Sequence, residues 1–304
     1  MKKILLKRGF ILIVILLFLG ISIYPNQVSS TTLINQNVKP GEIFFGLKSH
    51  IDITWDKDES LEPIMPLSEI RILTLNVSYW VTWGILGRIT NHFLSKGGVN
   101  IDIDIIDKPE YCEAYLEYKH LHIPIPSKHN KKESSHTNIQ VSLDEKAPAF
   151  ERCNITIQAT MDHEIKGPLG FITLLSPAKI TVNLTVVPDY FGLISCELPE
   201  GNFIETPPLI EKQLPIILYN KGNGYSRIKS EILEYPSDFI IYIDPENLYL
   251  DVGENKTTYL KVLAPSNFSG RETIQTKFTP NYVGRPELKG PSEIITFYFY
   301  YDVS

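Results

Sequence analysis

The sequence predicts an all-β protein built as two tandem β-sandwiches, the first of which carries a short helical insertion. Three observations support this fold class. Short strand-like segments alternate with turns rich in Gly, Asn and Pro. The composition is 43% apolar and 11% aromatic, with many Tyr, Ile, Val and Thr residues, as is typical of folded β-rich chains. One half of the chain also resembles the other half in sequence.

The internal repeat is clearest in two fragments, "APAFERCNITIQ" at Ala147–Gln158 and "APSNFSGRETIQ" at Ala264–Gln275. Upstream, "PEYCEAYLEYKHLHIPI" and "PSDFIIYIDPENLYLDV" align without a gap. The first copy carries extra residues between these blocks, and the polar stretch "SKHNKKESSH", Ser127–His136, lies in that interval. We interpret the repeat as a divergent duplication with an exposed loop inserted in copy one; the alternative is chance similarity.

Each copy has the strand pattern of an immunoglobulin-like sandwich. The glycines and asparagines of turns such as "NKGNG" are expected to supply the positive φ of tight turns. Alternation predicts that Leu248, Leu250, Leu260 and Val262 face the core, and that Ile157 and Ile274 hold equivalent buried positions. The strands predicted for the second copy are Leu209–Asn220, Ser226–Glu234, Phe239–Ile243, Leu248–Val252, Thr257–Ala264, Glu272–Phe278 and Glu293–Tyr301.

The first copy departs from this pattern at "WGILGRITNHFLSKGG", where Ile85, Ile89 and Phe93 recur every four residues before Gly97-Gly98. This spacing predicts a short amphipathic helix with a glycine stop. We expect the helix to cross one end of the sandwich with its apolar stripe covered.

The N-terminus predicts export from the cytoplasm. Four basic residues precede the apolar run Phe10–Tyr24, and Val28 and Ser30 fit a cleavage site before Thr31. The alternative is an uncleaved N-terminal membrane anchor. The predicted organisation is therefore a signal peptide or anchor at residues 1–30, domain 1 at residues 31–187 and domain 2 at residues 188–304, which opens with "PDYFG".

Charge and motif content argue against several function classes. Removing the basic N-terminus changes the formal charge from −6 to −10, so nucleic acid is not an expected partner. The chain has no Gly-x-Ser-x-Gly motif, no phosphate-binding loop and no catalytic-zinc spacing, so we predict no enzyme activity and no cofactor. The membrane is expected to be contacted only through the N-terminal segment.

The second copy resembles the Ig-like modules of the CARDB type and the related module found beside α-galactosidase and other glycosidase domains. The resemblance rests on "LPIILYNKGNGYSRIKSEI" and "IDPENLYLDVGENKTTYLKVLAPSNFSG", which match the N.GNG turn and the P..L.L..GE step of those modules. It implies a surface protein of the kind found in archaea. Its partners would be other surface or secreted proteins, or cell-wall and glycan components.

Candidate site residues begin with the cysteines. An exported location permits disulfides, and Cys112 and Cys153 both lie in copy one, so we predict that they form a bridge and that Cys196 stays free. The alternative is three buried reduced thiols. His120 and His122 lie two apart on a strand and could ligate zinc or copper, but solvated surface histidines explain them without a metal.

Acidic residues, sequons and tyrosines complete the candidates. Alternation explains the aspartates of "NIDIDIID" as the exposed face of a half-buried strand rather than a calcium loop. Tyr298 and Tyr300 share one strand face and could stack on sugar rings, although aromatic cross-strand packing is the favoured explanation. We predict a non-enzymatic structural, adhesive or protein-binding scaffold, with a carbohydrate-binding accessory module as the alternative. Five sequons are candidate glycosylation sites, at Asn76, Asn154, Asn183, Asn255 and Asn267.

Overall fold

The structure is a computed structural model that describes residues 46–84, 87–162, 164–166 and 173–302. The predicted signal peptide or anchor and Ile85 of the predicted helical stripe lie outside these residues. The all-β prediction is confirmed, because strands dominate and the helices are two short segments in the described part of the chain. No helix there is long and apolar enough to span a membrane.

The first half of the chain folds into two sheets that enclose one cluster of buried apolar side chains. One sheet has the order β5-β7-β3-β1-β10-β9 and the other has the order β2-β11-β8-β4-β6. We call this pair of sheets the first sandwich. Its strands are β1 (Leu47–Thr54), β2 (Pro63–Ile64), β3 (Ile70–Trp83), β4 (Gly98–Asp107), β5 (Cys112–Leu116), β6 (His120–Pro124), β7 (Glu133–Leu143), β8 (Cys153–Met161), β9 (Ile165–Lys166), β10 (Thr173–Leu175) and β11 (Ala178–Pro188).

The second half forms another pair of sheets, the second sandwich, around a separate cluster of buried residues. Its sheets have the orders β12-β14-β18-β16 and β13-β20-β19-β15-β17. The strands are β12 (Ile194–Glu197), β13 (Phe203–Glu205), β14 (Lys212–Asn220), β15 (Ser226–Glu234), β16 (Ile240–Asp244), β17 (Asn247–Leu250), β18 (Asn255–Leu263), β19 (Gly270–Tyr282) and β20 (Glu293–Tyr301).

The two sandwiches have the same topology. The order β5-β7-β3-β1 corresponds to β16-β18-β14-β12, and β2-β11-β8-β4-β6 corresponds to β13-β20-β19-β15-β17, including a parallel edge strand in each. The internal repeat therefore corresponds to repeated structure. Ile157 in β8 and Ile274 in β19 are both fully buried, which confirms their predicted positions. The inward positions predicted on β17 and β18 are also buried.

The seven strands predicted for the second copy are all present, with ends that differ by at most a few residues. The strand predicted to end at Phe278 continues to Tyr282 in β19. Another difference is at Leu209, where the sequence predicts the start of β14. Leu209 has a φ of 61° after two prolines and is therefore in a turn, and the strand begins at Lys212. The short strands β12 and β13 were not predicted, because segments of three or four residues show too little alternation.

Two helices lie in the connections of the first sandwich. Helix α1 (Lys57–Leu61) begins after Asp56, whose carboxylate accepts from two backbone N–H groups of the first turn. Helix α2 (Gly87–Leu94) confirms the predicted helix, but its predicted orientation is wrong. Ile89 and Phe93 are 60% and 72% exposed, and the buried residues are Gly87 and Asn91.

The reason for this orientation lies on the opposite face of α2. Gly87 lies so close to the Trp83 ring that a side chain at this position would collide with it. The Asn91 amide donates to the backbone carbonyl of Pro126 at 3.0 Å. A small residue and a hydrogen-bonded amide therefore face the body of the sandwich, and the apolar pair faces outward.

The prediction that Ser127–His136 forms an inserted surface loop is wrong for its last four residues. Glu133–His136 begin β7 and pair with β3, so the extra residues lengthen the β3–β7 ladder beyond its counterpart β14–β18. Lys132 lies over the Trp80 ring, 4.6 Å from its centroid, and pairs with Asp52 at 3.1 Å.

The two sandwiches meet at a joint formed by the turn Asn220–Gly224, the "NKGNG" segment. The side-chain amide of Asn223 donates to the carbonyls of Ala147 (2.9 Å) and Asp189 (2.8 Å), and its Oδ1 accepts from the Phe191 N–H (2.7 Å). The Asn223 carbonyl also accepts from the Ala149 N–H at 3.0 Å. Asn223 is 4% exposed, so these bonds are shielded from water.

Aromatic side chains surround this turn. The Tyr282 ring packs against Phe150 at 5.1 Å and Tyr190 at 5.2 Å, and the Tyr190 hydroxyl bonds to that of Ser226 at 2.8 Å. Arg285 lies over the Phe150 ring. The connection that begins at Pro188, where the sequence predicts the start of domain 2, is therefore fixed by contacts with residues of both sandwiches.

The glycines of this turn have a different role from the one predicted. Among the described residues, the glycines with positive φ are Gly201, Gly253 and Gly270, and none belongs to "NKGNG". Gly222 lies against the backbone of Phe191 and Leu193, where a side chain would collide. Close packing of two backbones requires glycine here. The described residues all belong to one compact unit. The domain boundary between residues 187 and 188 remains a prediction.

Candidate functional site

The most developed candidate site is an aromatic surface at one edge of the second sandwich. The edge strand β13 runs parallel to β20 and places Phe203 opposite Tyr298. The two rings stack with centroids 4.8 Å apart and an angle of 12° between their planes. Phe203 is 69% exposed and Tyr298 is 40% exposed, so the stacked pair presents apolar area to solvent. We call Phe203, Tyr298 and Tyr300 the aromatic face.

Backbone hydrogen bonds fix the position of the aromatic face. The Tyr298 N–H donates to the Asn202 carbonyl at 2.7 Å, and the Asn202 amide donates to the Thr296 carbonyl at 3.2 Å. At the other end of β13, the Thr206 N–H donates to the Tyr300 carbonyl at 2.9 Å. The aromatic rings are therefore carried by a paired strand rather than by a free loop.

Charged groups surround the aromatic face. An open depression of about 520 Å³ is lined by the three aromatic residues together with Arg271, Glu272, Asp302 and two further residues of β19 and β20. Arg271 pairs with Tyr300 across the β19–β20 ladder. Neither Arg271 nor Glu272 forms an ion pair with another described residue, so their hydrogen-bonding groups are available to a ligand. Exposed rings flanked by free polar groups suit a polar ligand with an apolar face, such as a sugar.

Sequence reasoning found Tyr298 and Tyr300 but missed Phe203 and Arg271. Phe203 belongs to a three-residue strand that pairs with residues far along the chain, so no local pattern identifies it. Arg271 follows Gly270, and only the pairing of β19 with β20 brings it beside Tyr300.

Cys112 and Cys153 lie together in the core of the first sandwich, and both are fully buried. Cys112 begins the edge strand β5 and Cys153 begins β8 in the facing sheet. The structure holds all three cysteines as free thiols. A hydrogen bond from the Cys153 thiol, assisted by the Lys108 ammonium, lowers the pKa of Cys112, and the same contact raises the pKa of Cys153. The predicted bridge would therefore join the two sheets, and its formation remains a prediction.

Cys196 has different surroundings from this pair. It is partly exposed at the β12–β14 pairing, far along the chain from the other two cysteines. Burial, together with the charge of Glu293, raises the pKa of its thiol to about 12. A thiol with so high a pKa is mostly protonated at neutral pH and is a weak nucleophile.

His120 and His122 project from the exposed face of β6, as the sequence predicted. Their Nδ1 atoms bond to Asp102 Oδ1 at 2.6 Å and to Asn100 Oδ1 at 2.9 Å, both on the neighbouring strand β4. Gly98 leaves room for the His122 ring. The part of the chain that the structure describes contains no group of three His, Cys, Asp or Glu residues that could hold a metal ion.

The remaining candidates are exposed. Asp102 and Asp104 of "NIDIDIID" lie on the solvent face of β4, as alternation predicted, and Asp107 is exposed after a register shift in the β4–β8 pairing. The Asn76 side chain faces outward from β3, which is the condition for its use as a glycosylation site, although this use remains a prediction. The other sequon residues are exposed too, on β8, β11, the start of β18 and the loop before β19: Asn154, Asn183, Asn255 and Asn267.

Comparison of the sequence with known protein families and with curated proteins finds no match. The fold is similar to several solved structures at low identity. The D00-D0 domain of intimin is 11% identical with a TM-score of 0.31, over 81% of this chain and 99% of that structure. Domains 4 and 5 of the S-layer protein SbsC are 10% identical with a TM-score of 0.27, over 84% and 98%.

A third similar structure is CfaE, the adhesive subunit of the CFA/I fimbria of enterotoxigenic Escherichia coli. It is 11% identical with a TM-score of 0.27, over 83% of this chain and 87% of that structure. Similarity at this level assigns no function to the chain.

Proposed function

We propose that the chain is a non-enzymatic extracellular or cell-envelope protein, a scaffold that holds two immunoglobulin-like sandwiches in a fixed arrangement. The observation that carries this proposal is the joint. Asn223 and Tyr190 are buried between the sandwiches, whereas a flexible linker would leave such groups in solvent. A fixed arrangement suits a protein that positions its binding surfaces at a set separation.

The location belongs to the same proposal. The basic and apolar N-terminal sequence favours export, and the resemblance of the second sandwich to CARDB-type modules favours a surface protein. The partners would then be other surface or secreted proteins, or components of the cell wall. The acidic charge of the chain supports partners other than nucleic acid.

Fractionation and crosslinking on intact cells test this proposal. We expect the chain in the envelope fraction after high-salt washing, crosslinked to other envelope proteins. Recovery of the chain from the cytoplasm, with its N-terminal segment intact, would contradict the proposal. Turnover of a substrate by the purified chain would contradict its non-enzymatic part.

A second candidate function is carbohydrate binding by an accessory module, and the stacked Phe203–Tyr298 pair favours it. Exposed aromatic rings beside Arg271 and Glu272 supply both stacking area and hydrogen-bonding groups. Cross-strand packing between Phe203 and Tyr298 explains their contact but leaves the exposure of Phe203 without a structural reason.

Glycan-array binding by the wild type and matched alanine variants tests the carbohydrate proposal. We expect Phe203→Ala and Tyr298→Ala to lose binding, because alanine removes the stacking area. Tyr249→Ala is the control, since Tyr249 is also exposed but lies on β17 at the opposite edge of the same sheet. If all three variants bind glycans no differently from the wild type, the carbohydrate candidate is removed and the scaffold proposal is unaffected.

A further inference from the structure

Helix α2 presents an apolar surface that no other described part of the chain covers. Ile89 and Phe93 lie one turn apart on its exposed face. They line an open depression with Arg88, His92 and Ser127. The opposite face of the helix is fixed to the sandwich through Gly87 and Asn91, so this exposure is held by specific contacts.

The surface around α2 is basic, although the chain as a whole is acidic with a formal charge of −6. The segment from residue 84 to residue 98 contains no Asp or Glu. Arg88 and Lys96 are exposed, and Lys128 is exposed in the neighbouring loop. None of these three cations forms an ion pair with another described residue, whereas Lys131 and Lys132 nearby are both paired.

Helix α2 lies at the end of the first sandwich where the upstream chain enters. Leu47, the first residue of β1, pairs with Trp83, the last residue of β3, so the chain before residue 46 joins the sandwich at the end that carries α2. That upstream sequence contains the apolar run Phe10–Tyr24. A chain retained at a membrane by this run would therefore be attached to it through the end of the first sandwich that carries α2.

The duplication shows what is unusual about this end. The connection from β3 to β4, which contains α2, corresponds to the connection from β14 to β15 in the second sandwich. In the second sandwich that connection is the Asn220–Gly224 turn, and the first sandwich covers it. The equivalent connection in the first sandwich instead carries an exposed apolar pair and two cations, Arg88 and Lys96, without an ion-pair partner among the described residues.

We propose that α2, together with the loop that contains Lys128, docks on the surface of an anionic lipid bilayer. Ile89 and Phe93 insert at the level of the headgroups, and Arg88, Lys96 and Lys128 interact with anionic headgroups. This contact holds the first sandwich against the membrane and adds a second membrane contact to the N-terminal one that the sequence predicts. The inference goes beyond the proposed scaffold function and does not depend on which ligand the scaffold binds.

Tryptophan quenching by brominated lipids tests the docking. The full-length chain is incorporated into vesicles of brominated phosphatidylcholine, with or without brominated phosphatidylglycerol. Phe93→Trp places a reporter on α2, and Tyr235→Trp places a matched reporter on an exposed aromatic position of the second sandwich. The signal of the native tryptophans is subtracted with the wild type.

We expect the α2 reporter to be quenched in the anionic vesicles. Quenching should be lost at high salt, or when Arg88→Glu, Lys96→Glu and Lys128→Glu are combined. The matched reporter on the second sandwich should not be quenched in either vesicle.

Equal quenching of the α2 reporter in both vesicles, unaffected by charge reversal, would overturn the proposal. The proposal would also be overturned if the α2 reporter were protected from quenching to an extent that increases with the number of protein molecules per vesicle. A second copy of the chain would then cover α2. Neither outcome bears on whether the chain is an exported scaffold.

Discussion

The two sandwiches place the same connection, between their third and fourth strands, in opposite surroundings. In the second sandwich this connection is a five-residue turn. The side chains of Asn220 and Asn223 in this turn are buried and hydrogen-bonded. In the first sandwich the connection is longer, contains α2 and exposes Ile89 and Phe93. The two sandwiches therefore keep the same strand order, while the connection at this end differs according to whether another sandwich covers it.

The same contrast holds at the corner where β5 and β8 begin. The first sandwich has Cys112 and Cys153 there, and the alignment places Phe239 and Gly270 at the corresponding positions of the second sandwich. In the second sandwich, the buried rings of Phe239 and Phe268 meet edge to face at 5.0 Å. One sandwich therefore fills this corner with two thiols and the other with an aromatic pair.

The largest expected effect comes from placing a charge in either core. Ile274→Asp buries a carboxylate without a partner, which costs several kcal/mol against a domain stability of about 5–15 kcal/mol. We expect the second sandwich to unfold while the first stays folded, and Ile157→Asp to do the reverse. Limited proteolysis should yield a protected fragment that ends near Pro188 in the first case and begins near it in the second. Unfolding of the whole chain in one step by either variant would mean that the two cores are not independent.

The next largest effect concerns the corner of the first sandwich. If Cys112 and Cys153 form the predicted bridge, reduction should lower the stability of the first sandwich by about 2–4 kcal/mol. Thiol titration of the denatured, unreduced protein should find Cys196 alone. The Cys196→Ala variant is the control and should leave stability almost unchanged. Three titrated thiols would show that the predicted bridge does not form.

A smaller effect is expected at the joint. Asn223→Ala removes a buried side chain and leaves the Ala147 and Asp189 carbonyls and the Phe191 N–H without partners, at a cost of about 1–3 kcal/mol. We expect the two sandwiches to unfold at more widely separated temperatures in calorimetry. Asn220→Ala is the matched control, because Asn220 bonds to Gly222, Gly224 and Leu250 within the second sandwich. Asn220→Ala should lower only the unfolding temperature of the second sandwich. Identical calorimetric profiles for Asn220→Ala and Asn223→Ala would argue against a specific joint.

The smallest effect is expected on the extended β3–β7 ladder of the first sandwich. Lys132→Ala removes one exposed ion pair with Asp52 and one contact with Trp80, which together are worth about 1 kcal/mol or less. Chemical denaturation should show a small decrease in the free energy of unfolding. The part of this decrease that comes from the ion pair should disappear at high salt. A loss comparable to that of Asn223→Ala would mean that this ladder, and not only the joint, sets the stability of the chain.

Much of the fold follows from local sequence. Alternation in "YLKVLA" and "NLYLDV" is enough to place Leu260, Val262, Leu248 and Leu250 in the core, because a strand half buried on one face leaves this pattern. The repeat then transfers the strand order from one half to the other. Ile157 and Ile274 were found in this way.

The joint and the candidate site could not be predicted so well, because long-range contacts determine them. "NKGNG" is typical of a solvent-exposed hairpin turn, and only residues about 75 positions earlier, around Ala147, bury Asn223. The face that α2 buries depends on the close approach of Gly87 to Trp83, which a hydrophobic period does not show. Phe203 lies on a strand too short to have a pattern, and parallel pairing with β20 brings it to Tyr298.

We propose that the Asn220–Gly224 turn fixes the two sandwiches relative to each other. Electron-spin distance measurement tests it most directly, with genetically encoded spin labels at the exposed Tyr118 and Tyr235 so that the native cysteines are retained. We predict one narrow distance distribution for the wild type and for Asn220→Ala, and a broader one for Asn223→Ala. A broad distribution in the wild type would contradict the claim, because the sandwiches would then move independently about the connection at Pro188.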